Sequence, residues 1–187
     1  MRFVPPFRPR PIATAAPILQ ERRERFAARV LPHLDAAYRY ARALSRDPVV
    51  AEDLVQDAFL GAFRGFDTCH GNERAWLFAI LRNGWHDMQR ARRPHASLDE
   101  VPEPIDADDP EALLGATQEA TQLRATVDAL PEPFREVIQL REFEELSYKE
   151  IAAVTAVPIG TVMSRLARAR TMLATVLVAQ QSERASA

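Results

Sequence analysis

The sequence is poor in cysteine and lysine, with one residue of each, Cys69 and Lys149. A single thiol cannot form an internal disulfide, so we expect the chain to work in a reducing compartment, the cytoplasm. No apolar run approaches the roughly 20 residues that span a bilayer, and we therefore expect no membrane insertion. The formal net charge is only −2, which excludes a uniformly basic coat for nucleic acid.

Combinations of residues that perform catalysis or bind metals are also missing from the sequence. Asp53 and Asp57 can share one helical face as paired carboxylates, and four histidines are present. However, no nucleophile–base pair, phosphate-binding loop or metal-ligand spacing accompanies them. The adjacent Cys69 and His70 cannot build a metal site by themselves. We therefore predict no catalytic residues, no cofactor and no metal site.

Positive charge is mostly arginine and comes in local clusters. The stretch 147–172 predicts two short helices joined by a tight turn. Ser147 and Glu150 form a capping box at the start of the first helix. Pro158 suits the first turn of the second helix, where its missing N–H costs nothing. The helical spacing of apolar residues predicts the inward face of the second helix. That face consists of Val162, Leu166, Ala169 and Leu173.

The opposite stripe of the second helix carries hydroxyl and guanidinium groups, with no carboxylate between residues 159 and 174. Its members are Thr161, Ser164, Arg165 and Arg168. Arginine reads both phosphates and guanine edges, so the pattern predicts a helix-turn-helix whose second helix enters the DNA major groove. The alternative interpretation of this stretch alone is a surface helical hairpin with a solvated basic face.

Changes in composition divide the rest of the chain. Residues 1–24 are rich in proline, and their first 20 residues hold three arginines and no acid, which predicts a basic arm without regular structure. Residues 25–94 follow a helical pattern almost throughout. Residues 95–117 hold seven acids, three prolines and no lysine or arginine, which predicts a flexible acidic linker. Residues 118–178 form a second helical module, and a polar tail follows at 179–187.

The sequence of the first module predicts two exposed stripes of side chains, one on each of two successive helices. On the helix predicted at 49–63, a leucine lies among polar residues, and an apolar side chain among carboxylates suggests a docking partner. This stripe consists of Asp53, Gln56, Asp57 and Leu60. The helix predicted at 73–93 aligns Trp76, Asn83, Asp87 and Arg90 on one side. Rings stack on bases while cations hold phosphates in single-stranded DNA binding, although core packing is the alternative for Trp76.

Four stretches give the sequence a resemblance to a known family. They are AEDLVQDAF at 51–59, ERAWLFAILRN at 73–83, and LPEPFREVIQLREFEELSYKEIA followed by GTVMSRLARAR within 130–170. In this order they resemble the two modules of bacterial extracytoplasmic-function (ECF) sigma factors, the promoter-specificity subunits of RNA polymerase. The resemblance covers residues 25–94 and 123–178. It implies an all-α fold of two small helical modules, region 2-like and region 4-like, joined by the linker.

The resemblance also implies a function and a set of contacts. The chain would bind core RNA polymerase, recognise −35 and −10 promoter elements and promote promoter melting, and an anti-sigma factor would be a partner. The −35 element would be bound by Thr161, Met163, Ser164, Arg165 and Arg168. The −10 element would be bound by Asn72, Trp76, Asn83, Asp87, Arg90 and Arg93. The clamp helices of the largest polymerase subunit would contact Asp53, Gln56, Asp57 and Leu60, and the polymerase flap would contact the second module.

The sequence departs from the family pattern at several positions. Met163 stands where many members have a basic residue, and its apolar side chain favours a thymine methyl or a sugar over a phosphate. Ala156 occupies a turn position that is usually glycine, which costs roughly 1 kcal/mol if the backbone there is left-handed. Thr155 replaces a usual apolar residue, and the family's loop has no counterpart of Cys69-His70.

Two other functions remain open at this point. A sigma-like adaptor that binds an anti-sigma factor would not need Arg165, Arg168 or the face from Trp76 to Arg93. A plain helix-turn-helix regulator would explain the second module but not the first.

Overall fold

The computed structural model describes residues 15–92 and 118–185, and every regular element within these ranges is helical. The first range contains α1 (Ala15–Arg29), α2 (Leu34–Ser45), α3 (Pro48–Gly65) and α4 (Glu73–Arg92). The second range contains α5 (Gln118–Asp128), α6 (Glu132–Ile138), α7 (Tyr148–Thr155) and α8 (Ile159–Ala185). The predicted all-α fold is confirmed. The predicted acidic linker at 95–117 lies outside the described residues.

The helices of the first module pack around a shared apolar core. Asp47 caps α3, because its Oδ1 accepts hydrogen bonds from the backbone N–H groups of Val49 (2.8 Å) and Val50 (3.1 Å). Leu54 on α3 and Leu81 on α4 are buried between the helices. α3 thereby turns its polar stripe outward, toward solvent.

The first helix begins earlier than the sequence predicts. We expected irregular structure up to residue 24, but α1 starts at Ala15. Pro17 lies within the first turn, where N–H groups have no intrahelical partner, so it does not prevent the helix. Phe26 anchors α1 by edge-to-face contacts with Phe63 and Phe66, with ring centroids 5.2 and 5.4 Å apart. The prediction is wrong for residues 15–24, and residues 1–14 lie outside the described part of the chain.

The second module has an irregular middle and a long last helix. α6 continues into a π-helical turn at Gln139–Phe143 before α7 begins. α7 and α8 form the predicted helix-turn-helix, with α8 beginning one residue after Pro158. α8 extends to Ala185, so the backbone at 179–185 is helical where we predicted an irregular tail.

The two modules pack against each other through buried carboxylates. Glu144 is fully buried and accepts hydrogen bonds from Arg39 (3.1 and 3.2 Å) and from Arg74. Glu136 accepts from the Tyr40 hydroxyl (3.0 Å) and from Arg82 Nε (2.7 Å). The acceptors belong to the second module and the donors to the first. We call this arrangement the closed form.

Within the described ranges, no single helix has both the length and the apolar content to cross a bilayer. In the part of the chain that the structure describes, one pair of helices, α7 with residues 159–179, passes that test by length and composition, but it is bent by 103°.

Candidate nucleic-acid interface

The helix-turn-helix starts with the predicted capping box. The N–H of Glu150 donates to Ser147 Oγ (3.3 Å), and the N–H of Ser147 donates to Glu150 Oε2 (2.8 Å). Hydrogen bonds from the Ser147 hydroxyl and then its backbone hold the pKa of Glu150 below its ordinary value. Both ends of the cap are therefore satisfied, which fixes the entry into α7.

The turn between α7 and α8 contains a strained residue. Ala156 has φ 53° and ψ 37°, the left-handed conformation that glycine adopts without cost. The condition under which alanine is costly at this turn is therefore met. Thr155 is 2% exposed, and its hydroxyl donates to the Ile151 carbonyl (2.6 Å), so the buried polar atom is satisfied.

Helix α8 separates an apolar face from a polar and basic face, as predicted. Val162, Leu166 and Ala169 are buried. Among the residues predicted for the −35 element, Met163, Ser164 and Arg168 are exposed, whereas Thr161 and Arg165 are half-buried. All five lie on the first three turns of α8. Their contact with DNA stays a prediction.

The residues predicted for the −10 element follow one side of α4. Trp76 is half-buried, with its ring beside Gly65, and Asn83 is exposed. Asp87 and Arg90 are exposed and form an ion pair with each other, one turn apart. Arg93 lies outside the described residues. Trp85, by contrast, is a core residue at 6% exposure.

Asn72 has a structural role that the sequence does not reveal. Its Oδ1 accepts from the backbone N–H of Arg74 (3.0 Å) and Ala75 (3.3 Å), which caps α4. Its Nδ2 donates to Glu150 Oε1 (2.5 Å) in the helix-turn-helix. The loop predicted to bind the −10 element therefore touches the module predicted to bind the −35 element.

The neighbouring loop contains the one free thiol of the described chain. Cys69 is half-buried, and burial raises the pKa of its thiol. His70 is exposed. No group of three or more histidine, cysteine or acidic side chains stands close enough to hold a metal ion among the described residues.

The predicted polymerase-docking stripe is exposed along α3. Asp53, Gln56 and Asp57 face solvent, and Leu60 is 49% exposed. A groove of about 440 Å³ runs beside the stripe, between α2 and α3. The groove is lined by Leu34, Asp35, Tyr38, Glu52, Val55, Gln56 and Phe59. Gln56 belongs to both surfaces, so the stripe and the groove are continuous.

The sequence did not identify the groove or the contacts between the modules. Leu34 fits the apolar face of α2, but it lies at the edge of that face and is 46% exposed. Glu136 and Glu144 carried no prediction, although both are buried among apolar residues of the second module. An acid at an inward-facing position is the signal that could have indicated a buried partner.

Comparisons with known proteins match both modules. The family described as "Sigma-70 region 2" matches residues 30–95, and "Sigma-70, region 4" matches residues 120–173. The ECF RNA polymerase sigma factor SigE of Mycolicibacterium smegmatis is 36% identical over 162 residues, which cover 83% of this chain and 63% of that protein. The ECF RNA polymerase sigma-E factor of Escherichia coli is 34% identical over 131 residues, 63% of this chain and 69% of that protein.

The RNA polymerase sigma-H factor of Pseudomonas aeruginosa is 39% identical over 139 residues, 66% of this chain and 71% of that protein. Two solved structures have a similar fold. The sigma factor RpoE in complex with the anti-sigma factor NepR from Bartonella quintana has a TM-score of 0.66 at 29% identity, covering 82% of this chain and 97% of that one. CnrH in complex with the cytosolic domain of CnrY has a TM-score of 0.61 at 30% identity, covering 84% and 90%.

The fold and the site together define a two-module helical protein whose second module contains a helix-turn-helix, with the two regions of a sigma-70-type chain in order. The chain belongs to the ECF family of RNA polymerase sigma factors. It spans just under two thirds of the length of the Mycolicibacterium smegmatis relative.

Proposed function

We propose that this chain is an alternative sigma factor, which binds core RNA polymerase, recognises −35 and −10 promoter elements and promotes promoter melting. One observation carries the proposal. A first module with an exposed docking stripe and a second module with a basic-faced helix-turn-helix occur in one chain, in the order that the family has. No catalytic chemistry, cofactor or metal is needed for this function, and we propose the cytoplasm as its location.

The second module would bind the −35 element as duplex DNA. Arg168 is exposed and Arg165 half-buried on α8, and no acid on the helix opposes them between residues 159 and 174. Guanidinium groups form bidentate hydrogen bonds with phosphate and with guanine, so they supply both affinity and base recognition. Ser164 and Thr161 add shorter hydroxyl donors on the same face.

The first module would bind the unpaired strand of the −10 element. Separating DNA costs roughly 1–2 kcal/mol per base step. A protein that hydrolyses no nucleotide favours opening only by binding the unstacked product. Stacking of a base on an aromatic ring contributes about 1–3 kcal/mol, and Trp76 stands on the same side of α4 as Asn83 and Arg90.

Core polymerase would dock on α3. Leu60 is an exposed apolar residue among Asp53, Gln56 and Asp57, and the groove beside it offers further apolar area. This mixture suits a partner surface with basic side chains around an apolar ridge. We propose that the clamp helices of the largest polymerase subunit form this partner surface. The polymerase flap would contact the second module.

An anti-sigma factor is the other partner that we propose. Both structures named above, RpoE with NepR and CnrH with the cytosolic domain of CnrY, are complexes. In this chain a closed form already brings the two modules together, so a partner that bridges them would stabilise it by mass action.

The closed form must open before both promoter elements can be bound. Elements centred at −10 and −35 are about 25 base pairs, or roughly 85 Å, apart along B-DNA. In the closed form, Asn72 and Glu150 are in hydrogen-bond contact. Residues 93–117 have a contour length of roughly 85 Å when extended, which permits the separation.

Run-off transcription tests the proposal. Core polymerase would be supplied with a library of genomic fragments and with no added factor, this chain, or its Arg168→Ala variant. We expect the chain to start transcripts at defined sites that share two upstream elements, and the variant to start fewer of them. Binding to core without any new transcript would favour the adaptor instead. No binding to core at all would contradict the docking assignment and favour a plain DNA-binding regulator.

A further inference from the structure

Two large apolar side chains stand exposed at the start of the recognition helix α8. Ile159 is 49% exposed and Met163 is 53% exposed. They are four residues apart and so lie one above the other on the same side of the helix. Val162, just before Met163, is fully buried. The exposure of the pair therefore does not come from a loosely packed helix.

Gly160 lies between them, and the fold does not require a glycine there. A Cβ atom at this position would meet no heavy atom within 4 Å. Its φ is not positive, in contrast to that of Gly71. Glycine destabilises a helix relative to alanine, and it is used where another backbone or a ligand must approach closely. The open space therefore leaves room for the backbone of a partner to approach the first turn of α8.

The surrounding charge identifies the kind of occupant. Arg165 and Arg168 follow on the next turns of α8, with no carboxylate between residues 159 and 174. This surface is suited to binding an anion. Because it lies on a helix-turn-helix, we infer that the anion is duplex DNA. The major groove presents one apolar group to a protein, the C5-methyl of thymine. An apolar pair beside arginines is complementary to thymine methyls beside phosphates.

We propose that Ile159 and Met163 contact thymine methyl groups in the −35 element, while Gly160 lets the sugar–phosphate backbone approach the first turn of α8. This inference rests on the proposed function and specifies the base that the −35 element must contain. The arginines supply most of the affinity, and the apolar pair supplies discrimination between thymine and other bases.

Replacing thymine by deoxyuridine tests the contact, because it removes the methyl group and leaves base pairing unchanged. A promoter found by run-off transcription would be synthesised with deoxyuridine at each −35 thymine in turn. Binding by polymerase holding the full-length chain would then be measured by titration. We expect about a fourfold loss of affinity per contacted methyl, the value of burying one such group.

Variants show which side chain contacts the methyl. Met163→Gln keeps the length of the side chain but is polar, and it should remove the sensitivity to deoxyuridine. Arg168→Ala, the matched control, should weaken binding to thymine and deoxyuridine templates by the same factor. Gly160→Ala should raise the thermal stability of the chain and yet weaken binding to every template, because its Cβ would occupy the open space.

The results separate this inference from the proposed function. Defined transcripts with no methyl dependence, or an unchanged methyl dependence in Met163→Gln, would overturn the thymine contact alone. A −35 element without thymine, or full binding by Gly160→Ala, would overturn it as well. If the chain starts no transcripts, the proposed function fails and this inference fails with it.

Discussion

At the scale of single residues, the turn of the helix-turn-helix stores conformational strain at Ala156. Its left-handed backbone, φ 53°, costs a residue with a Cβ about 1 kcal/mol relative to glycine. Ala156→Gly should therefore raise the free energy of unfolding by about that amount, which corresponds to roughly 2–4 °C in Tm for a chain of this size. Thermal unfolding followed by circular dichroism measures the change.

Ala153→Gly is the matched control for this substitution. Ala153 is exposed within α7, where the backbone is helical, so the same change should lower the stability by about 0.5–1 kcal/mol. The two substitutions should therefore change the free energy of unfolding in opposite directions. If Ala156→Gly also lowered the stability, the turn would not be strained.

At the scale of elements, the capping box of α7 makes stability depend on pH. The folded pKa of Glu150 is below its ordinary value of 4.5, so its carboxylate stabilises the fold above that pH. This stabilisation is lost as the pH falls through the lowered pKa. Glu150→Gln should cost about 0.5 kcal/mol at neutral pH, and the difference from wild type should shrink below pH 4.5.

Urea unfolding at a series of pH values measures that difference. Glu145→Gln is the control, since Glu145 is exposed and caps no helix. If Glu150→Gln lowered the free energy of unfolding by the same amount down to pH 3, the charge of Glu150 would not contribute to the cap.

The stripe on α3 makes a separate prediction about binding. Leu60→Ala should leave stability within about 0.5 kcal/mol of wild type, because the side chain is half exposed. It should weaken binding to core polymerase at least fivefold, the loss of about 1 kcal/mol that marks an interface anchor. Leu19→Ala, at 48% exposure on α1, is the matched control and should bind core normally. Equal binding by both variants would remove α3 from the interface.

At the scale of the whole molecule, Glu144 holds the modules together. Removing a buried carboxylate that pairs with Arg39 and Arg74 should destabilise the closed form by about 3 kcal/mol. Glu144→Ala should therefore increase the radius of gyration in X-ray scattering while the helical content stays unchanged. Glu142→Ala breaks the exposed pair with Arg170 within one module and should remain compact. Identical scattering from both variants would contradict this role of Glu144.

Local features were predictable from the sequence, and long-range ones were not. The capping box and the helix-turn-helix depend on a few neighbouring residues, so their patterns identified them. The start of α1 was missed because Phe26, which anchors it, acts through rings far along the chain. Arg39 and Glu144 are separated by 105 positions, so no local pattern pairs one with the other. The sequence therefore predicted the modules and their outer faces, but not the closed form or the role of Asn72 in it.

In the proposed function, the two modules of this chain must separate before transcription can start. A reversible tether between the modules tests this requirement. Arg46 and Asp128 are both exposed, and Arg46 Nη2 donates to the Asp128 carbonyl (2.5 Å) across the modules. Cysteines at these two positions, in a Cys69→Ser background, would be joined by a bis-maleimide linker that a reductant cleaves. Each single-cysteine chain, treated identically, is the control.

Run-off transcription with core polymerase is then measured before and after cleavage of the tether. We predict no transcripts from the tethered chain, and transcripts from the wild-type start sites once the linker is cut. Full activity of the tethered chain would contradict the need for separation. A cleaved chain and controls that bind core polymerase but start no transcripts would contradict the account as a whole.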